Sequence, residues 1–150
     1  MKKTEKILGA IIAISIALRL ITIPYVGFVM VISLVILAFF YFAFGLIIFN
    51  EIKFKDIFKK GTFKDISRLR KIGAIATGFS LSLMCIGILF KLGKYSETNI
   101  FLVYGFVLAL TIVIISVLKI SRDNTNFYKN ILLRLSIVGF IGLIILFIPI

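Results

Sequence analysis

The stretch that decides the fold is residues 25–49, YVGFVMVISLVILAFFYFAFGLIIF, which contains no charged side chain. A helix rises ~1.5 Å per residue, so a run of this length can cross the ~30 Å hydrocarbon core of a bilayer. Apolar and polar residues do not alternate along it, as they would in a strand of a membrane barrel. The run therefore predicts a transmembrane helix, because a helix satisfies its own backbone hydrogen bonds in lipid.

Similar apolar runs fill most of the remaining sequence. Of the 150 residues, 61% are apolar and 16% are charged, and the mean hydropathy is +1.19. Soluble domains contain about 45–50% apolar and about 25% charged residues. We therefore predict an all-α integral membrane protein that forms one membrane domain over residues 1–150. Its five transmembrane helices are expected at residues 7–23, 25–49, 72–92, 100–118 and 135–150.

The distribution of basic residues predicts the orientation of these helices. With the N-terminus in the cytoplasm, 15 of the 18 lysines and arginines fall in cytoplasmic segments, namely residues 2–6, 53–71 and 119–134. Cytoplasmic loops of membrane proteins carry such an excess. We therefore predict a multi-pass protein of the bacterial cytoplasmic (inner) membrane. The net charge of +12 then reflects topology and anionic lipid, and no nucleic acid is expected as a partner.

The first run admits a second interpretation, because it follows Lys2, Lys3 and Lys6 as the core of a signal peptide would. No small-residue cleavage site ends it, however. Pro24 and a second apolar run come directly after it. These features favour a tight helical hairpin, in which Pro24 ends one helix or begins the next.

Small residues recur at spacing four in two of the runs, as Gly9, Ala13 and Ala17 and as Ala74, Gly78 and Ser82. Such stripes let membrane helices approach closely, so we predict that both triplets pack against protein. The shared pattern indicates that residues 7–49 and 72–118 are two copies of one hairpin and that the fifth helix begins a third copy. The alternative is chance, because small residues are common in membrane helices.

Each of these two helices also has a lone basic residue near its outer end, Arg19 in one and Lys91 in the other. Long basic side chains near a helix end reach the interface, so the two residues would serve as separate anchors. The alternative, which follows from the repeat, is an outer-leaflet basic site formed by both residues. That site would bind a head group, a small anion or a carboxylate.

Residues 51–71 are predicted to be a cytoplasmic amphipathic segment. Thr62 followed by Asp65 resembles a capping box, so we expect a helix to start at Thr62 and to continue into the third span. The segment is either a docking platform for a partner or acidic lipid, or a connector whose basic residues enforce topology.

Side chains that carry chemistry are scarce in the predicted spans. All six acidic residues fall in predicted loops, histidine is absent, and Cys85 is the single cysteine. Ser80 and Ser82 have no base to activate them, and no ligands cluster for a metal. Tyr41, among several phenylalanines, is typical of a packing belt or, alternatively, of a ligand-stacking surface. We therefore expect no enzymatic activity, no cofactor and no metal.

Two stretches resemble the membrane hairpin of gliding-motility motor proteins of the GldL type. Residues 86–92 (IGILFKL) and 100–105 (IFLVYG) are similar to a helix that ends in a Phe-Lys pair, a short turn and a glycine-bearing second helix. Residues 18–20 (LRL) and 23–27 (IPYVG) look similar to the same pattern. The resemblance covers about 40 residues of each hairpin and implies a membrane scaffold related to that family.

The resemblance also implies roles for particular residues. Lys91 matches the intramembrane lysine of the family. The position that matches the family's coupling glutamate falls near Ala109, which cannot titrate. The resemblance therefore implies a related scaffold without the coupling acid.

These patterns together predict a non-enzymatic structural, accessory or assembly subunit of a membrane complex, and the resemblance implies that this complex is related to the gliding-motility machinery. Its partners would be the bilayer and either another membrane protein or further copies of itself. The alternative is a small transporter or channel component that acts as an oligomer. A cavity lined by Arg19, Ser15, Thr77 and Ser80 would favour anion transport, whereas a tight bundle with an exposed small-residue stripe would favour the subunit.

Overall fold

The computed structural model describes residues 2–20, 26–52, 54–57, 59, 61–64, 66–94, 98–122 and 125–147. Every regular element in these ranges is helical. There are five α-helices and one short 3₁₀-helix, Phe54–Asp56. The α-helices are α1 (Lys2–Leu20), α2 (Val26–Phe49), α3 (Arg68–Leu92), α4 (Thr98–Arg122) and α5 (Asn126–Phe147).

Four of these helices are long and apolar enough to cross a membrane. Their apolar spans are Gly27–Phe49, Arg68–Leu92, Asn99–Ser121 and Asn126–Phe147. The apolar part of α1 is shorter and covers Ile7–Leu18, which corresponds to about 18 Å of helix. The prediction of an all-α, membrane-compatible fold is thus confirmed, with four long apolar helices and one shorter one.

Helix α5 begins nine residues earlier than the predicted span at 135. Its first turn is held by Phe127 and Tyr128, which are buried and form an edge-to-face pair with centroids 5.0 Å apart. The guanidinium of Arg70 in α3 lies over the Phe127 ring at 5.7 Å. This packing of aromatic side chains extends the helix over residues that the hydropathy pattern alone assigned to a loop. Arg134 consequently lies inside α5. The predicted transmembrane span at 135–150 stays a prediction.

The helix predicted to start at Thr62 starts later. Residues 61–64 form turns, in which the Thr62 hydroxyl donates to the Asp56 carbonyl oxygen at 2.6 Å. Helix α3 begins at Arg68, and Ser67 is its N-cap, since the Ser67 side chain accepts from the Arg70 amide. Asp65 lies outside the described residues. A serine nearer the apolar run thus caps the helix, and the hydroxyl of Thr62 is used within the loop.

Helices α2 and α3 approach each other at two glycines. An ideal Cβ placed on Gly78 would lie 2.5 Å from the carbonyl oxygen of Tyr41 and 3.1 Å from the Cα of Gly45. A Cβ on Gly45 would lie 3.1 Å from the carbonyl oxygen of Ala74, which is itself fully buried. Only glycine therefore allows the two backbones to lie this close.

Glycines also allow α3 and α4 to pack closely. A Cβ on Gly87 would lie 2.7 Å from the backbone nitrogen of Leu102, and one on Gly105 would lie 3.1 Å from that of Met84. The Ser80 hydroxyl donates to the Gly105 carbonyl oxygen at 2.9 Å. Helix α3 is thus packed closely between α2 and α4.

The two remaining helices lie on the outside of this three-helix layer. Helix α1 packs against α2, whereas α5 packs against α3 and α4. In the part of the chain that the structure describes, α1 and α5 have no extended contact with each other. A cleft therefore separates them, and its floor is formed by α2 and α3.

Candidate functional site

A buried ion pair joins α1 to α5 at one end of the cleft. Nη2 of Arg134 donates to Oε2 of Glu5 at 2.7 Å, and Nε of Arg134 donates to the other carboxylate oxygen. The side chains of Arg134 and Glu5 are only 10% and 12% exposed. A two-bond arrangement of this kind is the strongest that a guanidinium and a carboxylate form.

Neighbouring polar groups complete the hydrogen bonding of this pair. The Tyr41 hydroxyl donates to Oε1 of Glu5 at 2.8 Å, and Nη1 of Arg134 donates to the Asn130 carbonyl oxygen at 3.4 Å. The guanidinium also lies 5.2 Å from the centroid of the Phe49 ring. Buried charges are costly unless they are paired and hydrogen-bonded, and these contacts meet both conditions. We call Glu5, Tyr41, Asn130 and Arg134 the polar cluster.

The polar cluster corrects the expectation that every acidic residue lies in a loop. Glu5 belongs to α1 and faces the bundle, and its partner Arg134 also lies within a helix. The sequence does contain a signal for this arrangement. Phe127, Ile131 and Leu135 share the buried face of α5, and Arg134 falls on the same face at helical spacing. A basic residue on the buried face of a helix requires a partner within the bundle.

The cleft beside the polar cluster has a volume of about 540 Å³. Helices α1, α2, α3 and α5 all contribute to its lining, which is mostly apolar away from the cluster. Gly9, Ile12 and Ala13 face it from α1, whereas Ile137 and Ile141 face it from α5. We call this space the α1/α5 cleft. Its volume lies within the ~300–1,000 Å³ range of small-molecule sites.

The α1/α5 cleft can hold an apolar group at one end and a polar group at the other. Cys85 contributes to its floor and is buried. No group of three metal-ligating side chains occurs among the described residues. The expectations that the protein has no metal, no cofactor and no enzymatic activity stay predictions. The lining of the cleft suits the binding and orientation of a ligand that has an apolar end and a polar end.

The two predicted small-residue stripes have different surroundings. On α3, Ala74, Gly78 and Ser82 are buried, and Gly78 contacts the backbone of α2. On α1, no described atom lies within 4 Å of the position that a Cβ on Gly9 would take. Ala13 and Ala17 of the same stripe are exposed. Packing of the α1 stripe against protein therefore stays a prediction.

The two predicted outer basic residues lie near the ends of α1 and α3. Lys91 is in the last turn of α3, and its Nζ donates to Oδ1 of Asn99 at the start of α4, at 3.5 Å. Arg19 is in α1, but its side chain lies outside the described residues. A joint basic site of Arg19 and Lys91 therefore stays a prediction.

The three hydroxyl side chains that were predicted to line an anion cavity have other positions in the structure. Thr77 donates to the Gly73 carbonyl oxygen at 2.6 Å, and Ser80 donates to that of Gly105. Ser15 is buried on α1. None of these three side chains lines the α1/α5 cleft. Thr77 and Ser80 thus support helix packing, as is common for hydroxyls in membrane helices.

Comparison with known proteins gives no match: no protein-family model, no curated protein and no solved structure matches the chain. The resemblance to the GldL-type hairpin therefore stays a prediction. The function proposed for this protein therefore rests on its residues and on their geometry in the structure.

Proposed function

We propose that this protein is a non-enzymatic membrane subunit with a structural, accessory or assembly role in a larger membrane complex. The observation that carries the proposal is the close packing of α2, α3 and α4 at Gly45, Gly78, Gly87 and Gly105. The backbones there approach within the width of a side chain, which leaves no room between these helices for a solute. A closely packed bundle of this kind suits a scaffold.

The proposed membrane is the bacterial cytoplasmic membrane, with α1 as a fifth span and the N-terminus in the cytoplasm. Three contacts support this arrangement, because they gather the N-terminus and both basic connections at one end of the bundle: Glu5 to Arg134, Asn130 to Glu51, and Arg70 to Phe127. That end also receives most of the basic residues, as expected for a cytoplasmic face. The apolar part of α1, Ile7–Leu18, would lie in the hydrocarbon core, and its charged first turns would lie at the cytoplasmic interface.

The hairpins α1–α2 and α3–α4 are proposed to be duplicated copies, on the basis of their shared spacing of small residues. In the second copy the stripe is buried within the bundle, whereas in the first it borders the α1/α5 cleft. A duplicated hairpin whose first copy keeps an open stripe would offer that copy to a partner or to lipid.

The complex is proposed to be one related to the gliding-motility machinery. The support is the hairpin resemblance, in which Lys91 matches the family's lysine. Ala109, near the position of the family's coupling acid, is buried in α4. A protein with alanine there would belong to the assembly as a scaffold and would not transfer protons at that position.

In-cell photo-crosslinking tests the proposed subunit role. A photoreactive amino acid is placed at Leu110 of α4 or Phe140 of α5, two apolar positions that are 61% and 69% exposed. We expect a discrete adduct, either with another membrane protein or with a second copy, from at least one of them. The crosslinked species should keep its mass on purification in mild detergent. If the protein is recovered as a monomer and neither position forms an adduct, the proposal is contradicted.

The second candidate function is a small transporter or channel component that works as an oligomer. The observation that favours it is the charged pair Glu5–Arg134 beside a cleft, because Arg134 lies within a candidate span and ionisable residues in membrane spans often mark a pathway. Reconstitution in liposomes separates the two candidates. Solute flux carried by the purified protein and abolished by Glu5→Gln would support this candidate and would contradict the scaffold.

A further inference from the structure

Helix α1 is held in the bundle differently from the other four α-helices. In the part of the chain that the structure describes, α2, α3, α4 and α5 each pack along at least two other helices, whereas α1 packs along α2 alone. We propose that α1 is a detachable helix and that the ion pair between Glu5 and Arg134 is the latch that holds it in place. The proposal does not depend on the subunit role, because a scaffold and a transporter could both use a movable helix.

Apolar packing contributes little to the attachment of α1. Ile12 and Ile16 are the buried apolar side chains among the described side chains of this helix. No described atom lies within 4 Å of the position that a Cβ on Gly9 would take. The close contacts at Gly78 and Gly87 join α3 to α2 and to α4, and α1 takes no part in them. The other four helices can therefore stay packed when α1 moves, since local opening requires only the loss of its own contacts.

The latch joins the first turns of α1 to two other helices. The Glu5 carboxylate accepts from Nε and Nη2 of Arg134 in α5, the latter at 2.7 Å, and from the Tyr41 hydroxyl in α2 at 2.8 Å. No other hydrogen bond joins α1 to α5 among the residues that the structure describes. The α1/α5 cleft lies beside this contact. The hydrogen bonds of one residue, Glu5, therefore fix where α1 lies relative to α5.

The two charges favour the docked position of α1 only as a pair. The attraction within a buried ion pair is largely offset by the loss of hydration, whereas a buried charge without its partner is strongly unfavourable. If Glu5 loses its charge, Arg134 is left without its anion as long as α1 stays docked. When α1 moves away, the long side chain of Arg134 can extend toward water at the interface. The charge on Glu5 therefore decides between the docked state and an open state, in which α1 has left α5 while α2, α3, α4 and α5 stay packed.

Distances between pairs of spin labels test the latch in the whole chain. The single native cysteine is removed by Cys85→Ala, and the labels are attached to cysteines introduced at exposed positions. Labels at Ile7 and Phe140, which are 60% and 69% exposed, report the distance between α1 and α5. Labels at Leu110, which is 61% exposed, and Phe140 report the distance between α4 and α5. Double electron–electron resonance spectroscopy measures both distances in protein reconstituted in lipid nanodiscs.

We expect Glu5→Gln to lengthen the α1–α5 distance by about 10 Å, one helix diameter, in most molecules and to leave the α4–α5 distance unchanged. Glu51→Gln is the matched control, because it removes a carboxylate that accepts from Asn130 of α5 but lies outside α1. This control should change neither distance. An α1–α5 distance that Glu5→Gln leaves unchanged would overturn the proposal. Lengthening of both distances by Glu5→Gln would also overturn it, because the pair would then hold the whole bundle together, and so would equal lengthening of the α1–α5 distance by Glu51→Gln.

Discussion

Replacement of Gly78 by alanine tests the close approach of α2 and α3. The added Cβ would lie 2.5 Å from the carbonyl oxygen of Tyr41 and 3.1 Å from the Cα of Gly45. Both neighbours are backbone atoms, which cannot turn away as a flexible side chain would. The two helices must therefore move apart, and other contacts between them are weakened.

Gly9→Ala is the matched control for this substitution. Both changes add one methyl group to a glycine in a helix, and both gain up to ~1 kcal/mol in helix propensity. At Gly9, however, no described atom lies within 4 Å of the added carbon. The difference in melting temperature between the two variants therefore reports the cost of the clash at Gly78.

We expect the clash to cost about 2 kcal/mol, the middle of the range for overpacked interiors. For a chain of this length that corresponds to a melting temperature about 4–8 °C lower for Gly78→Ala than for Gly9→Ala. Gly78→Ile should lower it further. Cys85 is the single cysteine and is 1% exposed, so its reaction with a thiol-specific dye reports unfolding on heating. A Gly78→Ala variant that melts at or above Gly9→Ala would refute the close approach.

Three further predictions concern charged residues. Arg134→Gln should lower the free energy of unfolding by about 3–5 kcal/mol, because it leaves Glu5 buried without its cation. The double variant Glu5→Gln/Arg134→Gln should recover part of that loss in the same thiol assay, and simple additivity of the two changes would argue against the pair. The Lys64→Cys variant should react with an impermeant thiol reagent only in permeabilised cells, because the proposed topology places residue 64 in the cytoplasm. Labelling of this cysteine in intact cells would contradict that topology. Arg19→Gln/Lys91→Gln should shift stability by no more than about 1 kcal/mol if the two residues are interface anchors. Loss of a crosslinked partner in that double variant would instead indicate a joint basic site.

The sequence by itself determined the class of the fold and the positions of most helices. The uncharged run at 25–49 predicts α2 closely, and the runs at 72–92 and 100–118 predict the bodies of α3 and α4. These features are local, because the hydrophobicity and length of a run decide whether it forms a helix that suits a bilayer. Helix α5 begins at Asn126, before the predicted span at 135–150, and the buried pair Phe127–Tyr128 packs at its first turn.

The two small-residue stripes also show what the sequence determines and what only packing decides. Both have the same spacing in sequence, yet Gly78 meets the backbone of α2 whereas Gly9 borders a cleft. A stripe shows that a helix can be approached closely. Which helix approaches it depends on how the whole bundle is arranged.

Only the tertiary structure brought Glu5 together with Arg134, across 129 positions of sequence. The spacing on α5 indicates that Arg134 needs a partner, but it does not identify Glu5, which lies among charged N-terminal residues and can be read as one of them. The pairing follows from the packing of α1 on α2 and of α5 on α3, which places two helix faces opposite each other. Burial then requires each charge to find a partner, and the α1/α5 cleft is the space that remains beside them.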